Sequence, residues 1–189
     1  RAAVPVCLHL DHGNSFACCV KAIHGGCISI MFDGSALSME ENISIPKEFV
    51  RIAHSCNVSV EAEIGHVGSP EGGELEASDV DASTYTKPED AKKFVEETGV
   101  DALAVAVGTV HGLFKGTPKI DTDRLDRIRE LVKIPLVLHG GWGFRSRSSA
   151  RQLTTASTRS TSSPAFLSRR PARSMKSCGR LTEKSTISS

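Results

Sequence analysis

Five short apolar runs recur along the chain with helix-like segments between them, and this alternation constrains the fold more than any other feature. The runs cover residues 4–10, 27–32, 58–64, 102–107 and 135–139. Nearly continuous apolar strands of this kind are typical of parallel sheets covered on both faces. Because parallel neighbours need a crossover connection, usually a helix, the order predicts a parallel α/β fold.

Helix start and stop signals fill the intervals. The predicted starts are Ser15, Ile45-Pro46, a capping box from Thr86 to Glu89, and Thr122, and the predicted stops include Gly25, Gly26 and Gly99. A doubly wound sheet and a (β/α)8 barrel both satisfy this order. No G-x-G-x-x-G follows a strand, which removes the main reason to expect a dinucleotide-binding sheet. A complete barrel needs roughly 250 residues, so five strands predict the middle of one.

The composition changes near residue 144. Residues 145–189 contain ten Lys or Arg, one acidic residue and 13 Ser, whereas all seven His precede them. We therefore predict a barrel domain over residues 1–143 and a tail over residues 144–189 that is disordered or read out of frame. In the second case, residues 159–162 would be the shifted translation of a further strand, which the gene sequence around codon 142 would test. A nucleic-acid arm is disfavoured because the tail has no repeat and one aromatic residue.

The remaining composition indicates a cytoplasmic protein that binds neither membranes nor nucleic acids. The six Cys form no C-x-x-C pair, which is typical of reduced intracellular proteins. No apolar run approaches the roughly 18 residues of a membrane span.

Three histidines follow predicted strands, and each is followed directly by glycine: His12, His111 and His139. In barrels the active site lies at the C-terminal ends of the strands. Three imidazoles that converge there leave a fourth position open, as in catalytic rather than structural zinc sites. The glycines allow backbone N–H groups to approach an anionic ligand.

Acidic residues accompany these histidines. Asp11 precedes His12 and is a candidate proton donor. Asp33 and Glu63, at the ends of the second and third strands, are candidate hydrogen-bond partners of the metal ligands or ligands of a displaced metal position. Glu71 lies in GSPEGGE, a Gly-rich stretch long enough to form a mobile loop over the site.

The motifs resemble those of the class II, metal-dependent fructose-bisphosphate aldolases and their tagatose-bisphosphate relatives. They are LDHG, MFDGS, EAEIG, GTVHG and LHGG, in this order, and the resemblance extends over residues 4–143. It implies a (β/α)8 TIM barrel of which this chain carries strands three to seven. It also implies a cytoplasmic enzyme of glycolysis that assembles as a homodimer or homotetramer.

The resemblance further implies the role of each matched residue. Zn²⁺ would be held by His12, His111 and His139, with Asp33 and Glu63 around a second divalent or monovalent cation position. Asp11 would be the general acid and Glu71 the base, while Gly112, Gly140 and Gly141 would contact the phosphate of the ketose substrate. Zn²⁺ would then supply the electron sink for cleavage. A Schiff-base lysine is the other known sink, but no lysine lies within the five strands.

The chain also departs from the family. Trp142 replaces a small hydroxyl residue of the family motif, and the first two strands and the eighth are absent from the resemblance. Because such a barrel would have open edges and an unfilled interior, we expect the chain as written to cleave fructose 1,6-bisphosphate slowly or not at all. Two alternatives stay open: cleavage of tagatose bisphosphate, and a truncated, non-catalytic remnant that binds metal.

Overall fold

Strands and helices alternate along the chain in the computed structural model, which describes residues 6–65, 75–76, 82–109, 114–115, 120–140 and 159–160. The strands are β1 His9–Gly13, β2 Ser29–Phe32, β3 Ser59–Ile64, β4 Leu75–Glu76, β5 Ala102–Val105, β6 Phe114–Lys115, β7 Leu136–Leu138 and β8 Arg159–Ser160. The helices are α1 Phe16–His24, α2 Met39–Ser55, α3 Pro88–Thr98 and α4 Thr122–Leu131, and a 3-10 turn covers Ala82–Thr84.

One parallel sheet organises the described residues. Its six strands follow the order β1-β2-β3-β5-β7-β8, while β4 and β6 form a separate parallel pair. The strand order never reverses, as it would at the switch point of a doubly wound sheet. The predicted parallel α/β fold is therefore confirmed in the form of a barrel segment. Within the described part of the chain the sheet stays open, with β1 and β8 at its edges.

Alternating side chains give this sheet two unlike faces. The helix-covered face buries the apolar positions of the strands against α1 to α4: Ile30, Phe32, Val60, Ala62, Ile64, Leu103, Val105, Leu136 and Leu138. The opposite face carries Met31, Ala102, Ala104 and Val137, together with the buried carboxylates Glu61 and Glu63. The apolar core therefore supports the sheet from one side, while the other side is free to present polar groups.

The helices begin at different residues from three of the predicted starts. Helix α2 begins at Met39 after the N-cap residue Ser38, which forms a capping box with Glu41, and Pro46 lies inside the helix. The Ile45-Pro46 prediction was wrong because the capping box and the buried stripe of α2 outweigh the proline. The N-cap of α4 is Asp121, not Thr122, and that of α3 is Lys87, not Thr86.

Other predicted helix signals are confirmed. The hydroxyl of Ser15 accepts a hydrogen bond from the N–H of Cys18 at the start of α1. Gly99 ends α3 with φ 72°, a left-handed conformation that glycine adopts without steric cost. No helix among the described residues is long and apolar enough to cross a membrane.

Part of the predicted tail takes part in the sheet. Arg159–Ser160 pairs in parallel with β7, with Val137 opposite Arg159. This is the position that follows β7 in the strand order, where residues 159–162 were expected to represent a further strand. The rest of residues 144–189 lies outside the described residues.

Thr86 joins β3 to β5 beyond the end of their regular pairing. Its hydroxyl donates to the carbonyl of Ile64 at 2.7 Å and accepts from the N–H of Ala106 at 2.9 Å. The side chain is buried, so both backbone groups depend on it for hydrogen bonding. The hydroxyl that the sequence assigned to a helix cap thus connects two strands.

We expect Thr86→Val to lower the free energy of unfolding by about 1–3 kcal/mol, because it leaves a buried N–H and a buried carbonyl without partners. Thr86→Ser, which keeps the hydroxyl, serves as the matched control and should lose less. Urea unfolding followed by circular dichroism measures both variants. A smaller loss in Thr86→Val than in Thr86→Ser would show that the methyl group, not the hydroxyl, stabilises this junction.

Candidate functional site

The parallel register brings polar residues of four strands to one edge of the sheet. Asp11 and His12 lie in β1, Asp33 directly follows β2, Glu63 lies near the end of β3, and His139 directly follows β7. Parallel strands end at the same edge, so residues from positions 11 to 139 become neighbours. The sequence placed these five residues at strand ends, and the structure brings them together.

His12 has an unusual backbone that redirects its side chain. Its φ is 51°, in the left-handed region, and the pairing of β1 with β2 shifts register between Leu10 and Gly13. Bulges of this kind occur beside functional sites, where they redirect a side chain. The sequence predicted β1 over residues 4–10 with Asp11-His12-Gly13 after it, but the strand covers His9–Gly13. The prediction missed the irregular strand because a bulge has no apolar pattern.

Gly13 is required at the bulge by close packing. A Cβ on this residue would lie 2.7 Å from the carbonyl oxygen of Met31 and 2.8 Å from a Leu10 methyl group. The backbone of β1 can therefore approach β2 at this point only without a side chain, and this approach holds His12 beside Asp33.

Asp33 holds one nitrogen of His12. The distance from Nδ1 of His12 to Oδ2 of Asp33 is 2.8 Å, and Ser35 donates from both its N–H and its hydroxyl to Oδ1 of Asp33. The hydrogen bond to His12 lowers the pKa of Asp33 well below its usual range, and the bonds from Ser35 act in the same direction. The same hydrogen bond raises the pKa of His12, against the opposing effect of burial.

Asp11 approaches His12 from the other side of the ring. Its Oδ1 lies 3.9 Å from Nε2 of His12, and its side chain is 62% exposed. Among the acids of the site, Asp11 therefore has the access to solvent that proton exchange with a bound molecule requires.

Glu63 is a buried acid of the site that lacks a hydrogen bond to one of its carboxylate oxygens. The residue is 2% exposed, and its Oε2 has no hydrogen-bond partner among the described residues. Burial, followed by the negative charge of Asp33, raises the pKa of Glu63 to about 7. A buried carboxylate of this kind is costly unless a cation or donor compensates it.

Glu61 is a site residue to which the sequence assigned no role. Its Oε1 lies 2.9 Å from Nε2 of His139, and both side chains are almost completely buried. The His139 ring also packs edge-on against His12, with ring centroids 4.7 Å apart. Glu61 and Glu63 are two positions apart in one strand, so they share a face; this spacing was the available signal.

Two groups of these side chains have donor atoms close enough to share a metal ion. Asp11, His12 and His139 form one group, and His12, Asp33 and Glu63 form the other; within each, one ligand atom per residue lies within 4.8 Å of the others. Imidazole and carboxylate donors are the set that Zn²⁺ accepts, and the unpaired Oε2 of Glu63 offers a ligand without breaking a hydrogen bond. The residues present therefore fit a divalent cation.

The remaining predicted site residues lie mostly outside the described part of the chain. His111, Glu71, Gly112 and Gly141 belong to this set. Gly140 is described, and its φ of 79° turns the backbone immediately after His139. A residue with a Cβ would be strained there, so the glycine fixes the path of the chain past the site.

A parallel barrel segment with histidines and carboxylates at its C-terminal edge is typical of α/β barrel enzymes, which hold their active sites at that edge. The family model of class-II fructose-bisphosphate aldolase matches residues 1–161. The chain belongs to the class-II fructose-bisphosphate aldolase family. The match includes β8 and so extends past Gly143, where the sequence motifs stop.

Solved structures give the same assignment. The chain is 36% identical to the YdjI aldolase of Escherichia coli K12 with a TM-score of 0.71, covering 85% of this chain and 54% of that one. It is 34% identical to a candidate fructose-1,6-biphosphate aldolase of Coccidioides immitis with a TM-score of 0.72, covering 84% and 56%. Fructose-bisphosphate aldolase of Campylobacter jejuni is 25% identical with a TM-score of 0.60, covering 84% and 53%. The chain thus spans about half the length of these relatives.

The buried carboxyl of Glu63 should make the metal-free protein less stable as the pH rises. The pKa of Glu63 is raised from 4.5 to about 7 in the folded state, so the folded state binds more protons than the unfolded state between these values. Stability from this group is present below pH 4.5 and falls as the pH rises through 7. We expect Glu63→Gln to stabilise the metal-free protein at pH 8 by up to about 3 kcal/mol, with little gain at pH 4.

Asp33→Asn is the control of opposite sign. The lowered pKa of Asp33 means that its charge stabilises the fold at neutral pH, so the amide should destabilise. Urea denaturation of both variants in chelator-treated buffer at several pH values measures the effect. A destabilised Glu63→Gln at pH 8 would contradict the assignment of Glu63 as an uncompensated charge.

Proposed function

We propose that the chain carries the metal-binding half of a class II aldolase site, which cleaves fructose 1,6-bisphosphate reversibly into dihydroxyacetone phosphate and glyceraldehyde 3-phosphate. The observation that carries the proposal is the convergence of Asp11, His12 and His139, whose donor atoms lie within 4.8 Å of one another at one edge of the sheet. Barrel enzymes hold their reacting groups at this C-terminal edge of the strands, and the family match supports the assignment of such a barrel to the chain.

His12 and His139 would hold Zn²⁺, with His111 as the third ligand by its match to the family motif. A bound divalent cation supplies a Lewis acid that stabilises the negative charge developed when the carbon–carbon bond breaks. The chain's own contribution is orientation, because His12 is held by Asp33 from the adjacent strand and His139 is held by Glu61 from β3, two strands away in the sheet.

Proton transfer would fall to two acids. Asp11 is next to His12 and half open to solvent, so it can exchange a proton with the hydroxyl of the aldehyde-forming carbon. Glu71 is assigned by its motif to the proton on the ketose-phosphate carbon. The two acids would then act on opposite ends of the cleaved bond.

Two further sets of residues would complete the site. Asp33 and Glu63, with His12, are a second cation position, supported by the orphaned Oε2 of Glu63. Gly112, Gly140 and Gly141 would present backbone N–H groups to the substrate phosphate. Tagatose bisphosphate differs from fructose bisphosphate at one stereocentre and remains the alternative substrate.

A second candidate function has its own support. The chain spans 54% of the YdjI aldolase and 56% of the Coccidioides immitis protein, and the described sheet is open at both edges. These observations favour a metal-binding piece that does not turn over substrate by itself. The complete barrel, by contrast, would be a cytoplasmic enzyme that forms a homodimer or homotetramer.

Zinc binding is the direct test of the site. We expect one Zn²⁺ per chain in competition with a chromophoric chelator, and we expect His12→Ala and His139→Ala to weaken it by at least about 100-fold, more than the loss of a ligand's hydrogen-bond partner costs. His24→Ala, which changes an exposed residue in the last turn of α1, is the matched control and should leave the affinity unchanged. Unchanged zinc affinity in His139→Ala would refute the proposed ligand set.

Aldol cleavage separates the two candidate functions. Zinc-loaded protein is assayed with fructose 1,6-bisphosphate and with tagatose 1,6-bisphosphate, before and after chelation. We expect any measured rate to disappear on chelation and to fall roughly 10²–10⁴-fold in Asp11→Asn, which retains the metal but cannot exchange the proton. Zinc binding without cleavage of either sugar would favour the non-catalytic piece, whereas chelator-insensitive cleavage would exclude a metal-dependent site.

A further inference from the structure

Glu61 and Glu63 have the same chemistry, the same strand and the same burial, but they have different surroundings. Both lie on the polar face of β3 and are at most 3% exposed. Glu63 keeps one oxygen without a hydrogen bond, whereas Glu61 reaches across the sheet to His139. The strand between them, β5, presents only alanines, Ala102 and Ala104, on this face, and their small side chains leave room for the contact.

The atoms of the Glu61–His139 contact decide the state of the ring. A carboxylate oxygen accepts, so the 2.9 Å contact places the proton of a neutral His139 on Nε2. Nδ1 then carries the lone pair and is the nitrogen that can ligate a cation. In His12 the other ring nitrogen makes the short carboxylate contact: Nδ1 faces Asp33, and Nε2 faces the more distant Asp11.

We propose that Glu61 is a positioning residue that fixes His139 in the Nε2–H tautomer, so that Nδ1 is its metal-binding nitrogen. The step from tautomer to metal rests on the proposed function, but the tautomer itself does not. The burial of both partners makes the choice strong, because a ring flip would take this donor away from a Glu61 carboxylate that is almost completely shielded from water.

Removal of the carboxylate should release the ring. In Glu61→Leu the Nε2–H loses this acceptor, so the preference for the Nε2–H tautomer weakens and the Nδ1–H tautomer gains population. Carboxylate partners of metal-binding histidines typically contribute 10–100-fold to metal affinity, and we expect a loss of about this size. Glu61→Gln retains an acceptor oxygen at the same distance and should lose less than about tenfold.

The experiment reads the tautomer directly. The full-length chain is labelled with ¹⁵N-histidine, and long-range proton–nitrogen correlation spectra are recorded without metal at pH 8.5. These spectra identify the protonated nitrogen of His139, whose signals are assigned by their absence in His139→Gln. We expect protonated Nε2 in the wild type and in Glu61→Gln, and mixed tautomers in Glu61→Leu. Zinc affinity is measured in parallel by competition with a chromophoric chelator.

Glu63→Leu is the matched control, since it removes an equally buried carboxylate from the same face of β3 and should leave the His139 tautomer unchanged. Protonated Nδ1 in the wild type would overturn the proposal, and that measurement requires no variant to fold. An unchanged tautomer in a folded Glu61→Leu would overturn it as well. If the wild type binds no zinc, the proposed function fails while the tautomer result stands; if zinc affinity is equal in wild type and Glu61→Leu, only the role of Glu61 fails.

Discussion

The structure depends on the parallel register of β1, β2, β3, β5 and β7. Because these strands run in one direction, their C-terminal ends meet at a single edge, and carboxylates of one strand reach histidines of another. Asp33 after β2 holds His12 of β1, and Glu61 of β3 holds His139 after β7. A shift of one residue in any of these strands would send the polar side chain to the helix-covered face, into the apolar core.

One face of the sheet forms the apolar core that stabilises the fold, and the other face carries the polar groups of the candidate site. Leucine, valine, isoleucine and phenylalanine side chains pack between the sheet and the helices, and this core positions the strands. The opposite face places two glutamates and a histidine in nearly complete burial, which opposes folding unless the groups find partners. Glu61 has His139 as its partner, whereas Oε2 of Glu63 has no hydrogen bond among the described residues. Its burial therefore lowers the stability of the fold, and a bound cation would offset this loss. The site thus keeps a local instability of the kind that binding sites commonly retain.

Residue patterns predicted much of the fold but not its irregular points. Apolar runs located β2, β3, β5 and β7, and Ser15 and Gly99 located helix ends, because these signals are local. Thr86 was assigned to a helix cap, but its hydroxyl connects β3 to β5. The sequence could not show this because its partners, Ile64 and Ala106, lie 22 and 20 positions away. Pro46 was assigned to a helix start but lies within α2, because the Ser38–Glu41 capping box begins the helix earlier. The bulge at His12 left no trace in the apolar pattern.

The sequence alone determined the parallel α/β order, the family resemblance, and the set of histidines and acids that follow the strands, since residue type and spacing are sufficient for these. Only the tertiary structure decided which of those groups contact one another. The strand pattern does not distinguish Glu61 from Glu63, because both occupy the same face of one strand two residues apart. Their surroundings differ because the strand order and register bring His139, after β7, into contact with Glu61, while Oε2 of Glu63 has no hydrogen bond among the described residues.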